Sequence, residues 1–169
     1  MFNLTGRKFL VTGGSGSIGR AIAQAFYNSG ATVCISGTNA EALEITSEGK
    51  MKIILCDLKN KDDVISLVDR ATEAMYGFDG IVCNAGITRD KLLMRMTDDE
   101  WNEVLQVNLT STFQLNRSAC KILSKNRWGR IINISSVVAF TGNHGQANYT
   151  ASKAGMIAMS KSIAKEYAN

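Results

Sequence analysis

No stretch of this 169-residue chain is long and apolar enough to cross a bilayer. The opening Met1-Phe-Asn-Leu-Thr-Gly-Arg-Lys8 lacks both the apolar run and the small-residue cleavage site of a secretory signal. Both absences point to a cytoplasmic protein with no membrane partner. Histidine occurs once, at His144, and the four cysteines, Cys34, Cys56, Cys83 and Cys120, fall in apolar runs without close Cys or His spacing. No zinc site is expected, nor any other metal centre, and the thiols read as reduced core residues. Charge is sparse as well: 20% of residues are charged, and a net +4 is scattered without a basic stripe interleaved with aromatics. A nucleic-acid partner is not expected, whereas an acidic one remains open. Proline is absent altogether.

What is present suits one globular domain over residues 1–169, since 45% of the chain is hydrophobic. Apolar runs alternate with helical patterns throughout. Strands are predicted at 9–12, 31–36, 52–56, 78–83 and 130–135, with helices at 21–27, 39–47, 61–76, 97 to about 124, and from 149 onward. Thr97-Asp-Asp-Glu100 is a capping box for the fourth helix. Such alternation implies a parallel sheet between two helical layers, and right-handed crossovers give the strand order 3-2-1-4-5. The fold class is therefore α/β, a Rossmann-type doubly wound sheet in a three-layer αβα arrangement. Ligands bind such sheets where the order reverses, outside the carboxyl ends of the first and fourth strands. Gly13, Asn84, Ser136 and Tyr149 all follow strand ends on that side.

Two motifs carry chemistry. Phe9-Leu-Val-Thr12 enters Gly13-Gly-Ser-Gly16-Ser-Ile-Gly19 and then a helix. Glycines allow a tight turn and close backbone approach to a pyrophosphate, and free N–H groups at the helix start favour its charge. On spacing alone, a bare turn between strand and helix would look the same. At the other end, Ser136 stands thirteen residues ahead of Tyr149, which opens Tyr149-Thr-Ala-Ser-Lys153. Four residues is about one helical turn, so phenol and ammonium share a face, and the cation favours the phenol's anion. That describes a proton-donating site. Decoration of an exposed helix is the competing reading.

Thr12-Gly13 with Gly19, Cys56-Asp57-Leu58, Asn84-Ala85-Gly86, Asn108 in Val107-Asn-Leu-Thr, Ser136, Tyr149 and Lys153 occur in that order. With them the chain resembles the short-chain dehydrogenase/reductase family over its whole length. Asn84-Ala-Gly-Ile-Thr-Arg-Asp, Leu93-Met-Arg-Met, Gly129-Arg-Ile-Ile-Asn-Ile-Ser-Ser and Gly145-Gln-Ala-Asn-Tyr look most like the β-ketoacyl-(acyl-carrier-protein) reductases within it. Related sugar, acetoacetyl-CoA and quinone reductases share the core motifs.

The resemblance implies NADPH-dependent reduction of a 3-oxoacyl thioester, linked to acyl-carrier protein or CoA, to the 3-hydroxyacyl thioester in fatty-acid biosynthesis. Tyr149 then protonates the substrate carbonyl oxygen. Lys153 favours the tyrosine's anion and holds the ribose hydroxyls. Ser136 donates to the same carbonyl oxygen, with Ser135 the competing serine, and Asn108 holds a water that returns the lysine's proton. The bland alternative for Asn108 is an amide satisfied by backbone. Cofactor contacts fall to Gly13, Ser15, Ser17, Ile18 and Gly19 in the turn, and to Asp57 and Leu58 at the adenine. Asn84, Ala85 and Gly86 line the adenosine side, while Thr38 ends the second strand. Asp57 has a bland reading as a strand-ending cap.

Ser36-Gly-Thr-Asn39 has no carboxylate before Glu41, which favours NADPH (NADP) over NADH. Gly16 stands where relatives often have a basic residue, so Thr38 and Asn39 must contribute more. Ser17 replaces a glycine of the family turn. His144 reads as a plain loop residue.

The chain stops at Glu166-Tyr-Ala-Asn169, about two-thirds of the way through a typical family member. The family's sixth strand, its Pro-Gly loop, the substrate lid and the seventh strand are missing, and the lack of proline agrees. The fifth strand is left as an open edge. A non-catalytic nucleotide-binding or assembly fragment is therefore a second reading, and a short-chain dehydrogenase of another ketone or alcohol a third. The family further implies a homo-oligomer, a tetramer, built through the 97–124 and 149–167 helices. Trp101, Leu105, Phe113, Met156 and Met159 read equally as interface or core. Arg127, beside Trp128, is a candidate docking contact for an acidic carrier protein.

Overall fold

The computed structural model describes residues 3–168; Met1, Phe2 and Asn169, the ends of the expected single domain, lie outside the described residues. Its parallel sheet contains β1 (Lys8–Thr12), β2 (Thr32–Gly37), β3 (Lys52–Leu55), β4 (Gly80–Cys83) and β5 (Arg130–Asn133). The strand order is β3-β2-β1-β4-β5, as the alternation of elements predicts. Connecting them are α1 (Ser17–Asn28), α2 (Ala40–Ser47), α3 (Lys61–Met75), α4 (Asp98–Leu105), α5 (Ser111–Asn126), the single turn α6 (Val138–Thr141) and α7 (Ala147–Tyr167). Helices on both faces complete a Rossmann-type αβα sandwich.

Alternation along β1 divides the core in two. Leu10 packs with α3 and α5 residues on one face, while Phe9 and Val11 pack with Ala23 of α1 and Leu43 of α2 on the other. Leu10 and Val11 are wholly buried, and a side chain of that kind contributes roughly 1.5–3 kcal/mol when removed from water. The helical spacing of apolar Val64, Ile65, Val68, Ala71 and Met75 predicts one buried face on α3; all but Ile65 are buried, and Leu67 takes its place. At 3.6 residues per turn, Ile65 lies about 100° around the helix from Val64 and Leu67 only about 60°. Asn60 starts this helix by accepting from Asp62 N and Asp63 N.

All four cysteines are free and buried. Burial pushes the thiols of Cys34 and Cys83 up to about 12, that of Cys56 up to about 11, and that of Cys120 upward. Met156 is also completely buried, which settles it as intrachain core, whereas Phe113 is exposed beneath the guanidinium of Arg117. Among the described residues no helix is long and apolar enough to cross a membrane.

The capping box forms: Thr97 Oγ1 accepts from Glu100 N at 3.2 Å, and Glu100 Oε2 accepts from Thr97 N at 3.0 Å. The helical stretch it opens runs without a break to Asn126, but it is not α-helical throughout. One π turn, Gln106–Thr110, separates α4 from α5, with Ser111 N donating to Gln106 O. Such turns displace a helix's register locally and concentrate at functional sites. This one places Asn108 in its middle.

Candidate active site

The carboxyl ends of β1 and β4 are fastened together by two side chains. Thr12 Oγ1 accepts from Asn84 N at 3.0 Å and Ala85 N at 3.1 Å, while Asn84 Nδ2 donates to Thr12 O at 3.0 Å and Gly13 O at 3.3 Å. Here the strand order reverses. The glycine turn packs directly on this junction. Gly13 has φ +66°, and a Cβ there would stand 2.9 Å from Ala85 Cα; a Cβ on Gly19 would stand 2.1 Å from Gly13 O. Only hydrogen fits at either place. No side chain caps the start of α1, so its first-turn N–H groups are available to an anion.

Two clefts adjoin here and share Asn84, Gly86 and Ile87 as walls, one of about 570 Å³ and one of about 310 Å³. The larger receives Gly13 and Ser15 from the turn, Thr38 from the end of β2, and Asp57, Leu58 and Ala85. The smaller receives Ile18, Ser135, Tyr149 and Lys153. Adjoining compartments, a turn that admits no side chain at Gly13 or Gly19 and a free helix start fit an extended dinucleotide. Ser17 lies in the first turn of α1 but lines neither cleft.

At the larger cleft, Asp57 Oδ1 accepts from Lys59 N at 2.9 Å, so one carboxylate oxygen caps the loop. Asn39 is also committed: its Oδ1 accepts from Ala42 N and caps α2. Lys59 and Arg89, which motif reading did not single out, line this cleft and are both tied to Glu103. Arg89 grips that carboxylate with two bonds, at 2.7 and 3.1 Å. The two cations hold the Glu103 carboxyl below its usual range. Both cations lie far from Glu103 in sequence, so no local pattern announces them.

At the smaller cleft, α7 carries Tyr149 and Lys153 one turn apart, and the lysine ammonium lies 5.8 Å from the phenol ring centroid. Lys153 is buried and donates to Ile134 O at 2.7 Å. Desolvation lowers its pKa. A Cβ on Gly86 would lie 3.1 Å from Asn108 Oδ1 and 3.6 Å from Lys153 Nζ, so all three converge. The Asn108 amide is held by backbone: Oδ1 accepts from Ile87 N at 2.8 Å, and Nδ2 donates to Ile87 O at 2.9 Å and to Ser152 Oγ at 3.2 Å. Ser135 lines the cleft and spends its proton on Lys153 O at 3.1 Å. Ser136 is not among the lining residues; its Oγ accepts from Val138 N at 3.4 Å, which leaves its proton uncommitted. His144 is exposed in the loop before α7.

Arg127 stands apart from all of these. It caps α5 just before β5, at the opposite end of the sheet from the clefts.

The family model for short chain dehydrogenase matches residues 7–169. The chain belongs to the short chain dehydrogenase family. It is 50% identical to a nodulation protein G of Rhizobium sp. (strain N33) over 99% of this chain and 70% of that protein. A 3-oxoacyl-(acyl-carrier-protein) reductase of Rickettsia felis is 47% identical over 99% of this chain and 69% of its own length. A crystal structure described as a short-chain alcohol dehydrogenase from Sinorhizobium meliloti 1021 superposes with a TM-score of 0.93 at 28% identity, covering 99% of this chain and 69% of that one. Membership brings oxidoreductase chemistry at CH–OH groups and a nicotinamide cofactor.

Proposed function

We propose that this short-chain reductase uses NADPH to reduce a 3-oxoacyl thioester, linked to acyl-carrier protein or CoA, to the 3-hydroxyacyl thioester in fatty-acid biosynthesis. The observation that carries the reading is the convergence of Tyr149, Lys153, Gly86 and Ser135 on one cleft adjoining a dinucleotide-sized one. The names of the 3-oxoacyl-(acyl-carrier-protein) reductases among its relatives supply the substrate class.

In this reading the N–H groups at the start of α1, with Gly13, Ser15, Ser17, Ile18 and Gly19, hold the pyrophosphate. Asp57, through its uncommitted Oδ2, and Leu58 hold the adenine. Thr38 receives the 2′-phosphate, because Ser36-Gly-Thr-Asn39 carries no carboxylate to repel it, the first being Glu41 in the opening turn of α2. When bound, the nicotinamide supplies the hydride. Tyr149 donates its phenolic proton to the carbonyl oxygen as negative charge builds there, and Ser136 donates a second hydrogen bond to the same atom. Lys153, fixed against Ile134 O, stabilises the resulting phenolate and orients the ribose. Asn108 clamps the Ile87 segment that walls both clefts, and the one remaining lone pair of its Oδ1 is where a proton-returning water would sit.

Trp101, Leu105, Phe113 and Met159 remain for contacts between copies in a tetramer. Arg127, at the far end of its own sheet, serves an acidic carrier only at the site of a neighbouring copy.

The test is oxidation of NADPH, followed by its absorbance, as purified protein meets an acetoacetyl thioester, with Tyr149→Phe alongside. Turnover that vanishes in the variant while NADPH affinity stays within about twofold supports the proposal. A folded wild type with no turnover favours a nucleotide-binding fragment instead.

A further inference from the structure

We infer that Asn148 is a positioning residue for Tyr149, closing a ring of hydrogen bonds that sets the tyrosine against the wall of the cleft. The inference rests on the reductase reading above. Asn148 is completely buried, yet it lines neither cleft. Its Nδ2 donates to Arg89 O at 3.0 Å and to Glu100 O at 3.2 Å, and its Oδ1 accepts from Tyr149 N at 2.7 Å. Both amide hydrogens are thereby used, and all three partners are main-chain groups.

Tyr149 needs such a partner because of where it sits. It is in the first turn of α7, whose N-cap, Gln146, offers no side-chain cap; Thr150 N donating to Gln146 O, at 2.8 Å, belongs to the helix's first ring of bonds. The N–H of Tyr149 is therefore one of the donors a helix start leaves unpaired, and such turns fray. Asn148 satisfies it from the adjacent residue. The same side chain ties this turn to two other elements, the first turn of α4 at Glu100 and the segment after β4 at Arg89.

The connections close on themselves. Tyr149 O accepts from Ser152 Oγ at 2.7 Å, and Ser152 Oγ accepts from Asn108 Nδ2 at 3.2 Å. Asn108 in turn holds both backbone groups of Ile87, two residues from the Arg89 carbonyl that Asn148 holds. The backbone N–H and C=O of Tyr149 are thus both fixed, by separate routes, to the segment walling the two clefts. Lys91 N donating to Gly145 O at 2.8 Å, and Gln146 Nε2 donating to Asp90 Oδ2 at 2.9 Å, brace the same seam. A proton donor works only within a few tenths of an ångström of its target, and a 1 Å misplacement can cost about a hundredfold. An amide is the side chain this place requires. Aspartate would set a carboxylate against two carbonyl oxygens, and leucine would remove all three of these part-buried hydrogen bonds, leaving the Tyr149 N–H without a partner.

The experiment compares Asn148→Ala and Asn148→Ser with wild type, using kcat for an acetoacetyl thioester, Kd for NADPH, and backbone-amide exchange at Tyr149. The alanine variant should lose kcat by 10-fold or more with Kd within twofold, because Asn148 touches neither cleft. Exchange at Tyr149 should accelerate by 10-fold or more while Leu10 and Val11 keep their protection. Serine can still accept from the Tyr149 N–H but cannot span to both carbonyls, so its kcat should fall between the two; if the alanine variant does not fold, a fivefold or greater loss in the serine variant carries the test. A kcat within twofold of wild type in the folded variant, or a loss matched by an equal loss of NADPH affinity, overturns the inference. Should wild type itself show no turnover, the reductase reading fails separately. Exchange at Tyr149 then decides alone, unchanged protection in the alanine variant overturning the ring and lost protection upholding it.

Discussion

Lys153 lies one helical turn beyond Tyr149 with its ammonium 5.8 Å from the phenol ring centroid, but its hydrogen bond at 2.7 Å goes to Ile134 O. The charge is buried and is answered by a carbonyl dipole. Desolvation lowers the lysine's pKa, so the fold bears a cost to keep a cation there. A site that destabilises its own scaffold is a common accompaniment of function.

Lys153→Met should therefore stabilise the protein while abolishing turnover. Its stem fills similar volume, and the lost bond to Ile134 O, worth about 1–2 kcal/mol, offsets only part of the gain. The sign with pH follows from the depressed folded-state pKa. Below it, wild type carries the whole penalty; as pH rises from there towards the unfolded value near 10.5, the folded lysine gives up its proton first and the penalty fades. Thermal melts should show the variant a few degrees more stable at pH 7, with the gap narrowing by pH 10. A variant that melts below wild type at pH 7 would contradict this.

The buried thiols act in the opposite sense. Cys34 and Cys83 are pushed to about 12 and Cys56 to about 11 from a starting value of 9.0. Between about pH 9 and those values the unfolded chain releases thiol protons that the folded chain retains, so stability falls as pH rises. Each thiol contributes up to about 1.4 kcal/mol per pH unit in that window. Three thiols outweigh one lysine, and urea unfolding should show a net decline from pH 9 to 10.5 that flattens in Cys34→Ala and Cys83→Ala. In native protein at pH 8 an aromatic disulfide reagent should label none of the four cysteines, and in urea all four. Rapid labelling of native protein would refute their burial.

At the glycine turn, Gly19→Ala would drive a Cβ to 2.1 Å from Gly13 O and force α1 away from the turn. Overpacking of that kind costs roughly 1–3 kcal/mol. It also displaces the N–H groups that face a pyrophosphate. NADPH affinity should fall at least about 10-fold by fluorescence titration, with a lowered melting temperature. Unchanged affinity would mean that the cofactor does not use this helix start.

Thr38→Asp tests cofactor choice without touching the core, since Thr38 is exposed at the end of β2. A carboxylate there repels a 2′-phosphate and accepts from ribose hydroxyls. Beside the start of α2 it also suits the helix dipole, so folding should be unaffected. NADPH should bind about 10-fold or more weakly and NADH no worse than before. A wild type that already binds NADH as tightly as NADPH would defeat the premise.

Much of this molecule is written in local pattern. The run from Phe9 to Gly19 specifies strand, turn and helix within eleven residues, and Tyr149 and Lys153 share a face because a helix repeats every 3.6 residues. Alternation of such units, with the fixed hand of their crossovers, determines the order β3-β2-β1-β4-β5. Other features depend on residues brought together from far apart. Nothing in Val107-Asn-Leu-Thr announces a π turn, and nothing around Asn108 points to Ile87, twenty-one residues earlier. Which of Ser135 and Ser136 keeps its hydroxyl proton uncommitted depends on which of them meets Lys153 O. Whether Met156 was core or surface depended on what packed over α7. Asn148 looks like an ordinary polar neighbour of Tyr149 until Arg89 O and Glu100 O, 59 and 48 residues away, arrive on its amide. Periodicity and turn chemistry are energies of adjacent residues, and the sequence by itself determined them. Hydrogen bonds between distant segments exist only once the sheet has ordered those segments, and the tertiary structure alone decided them.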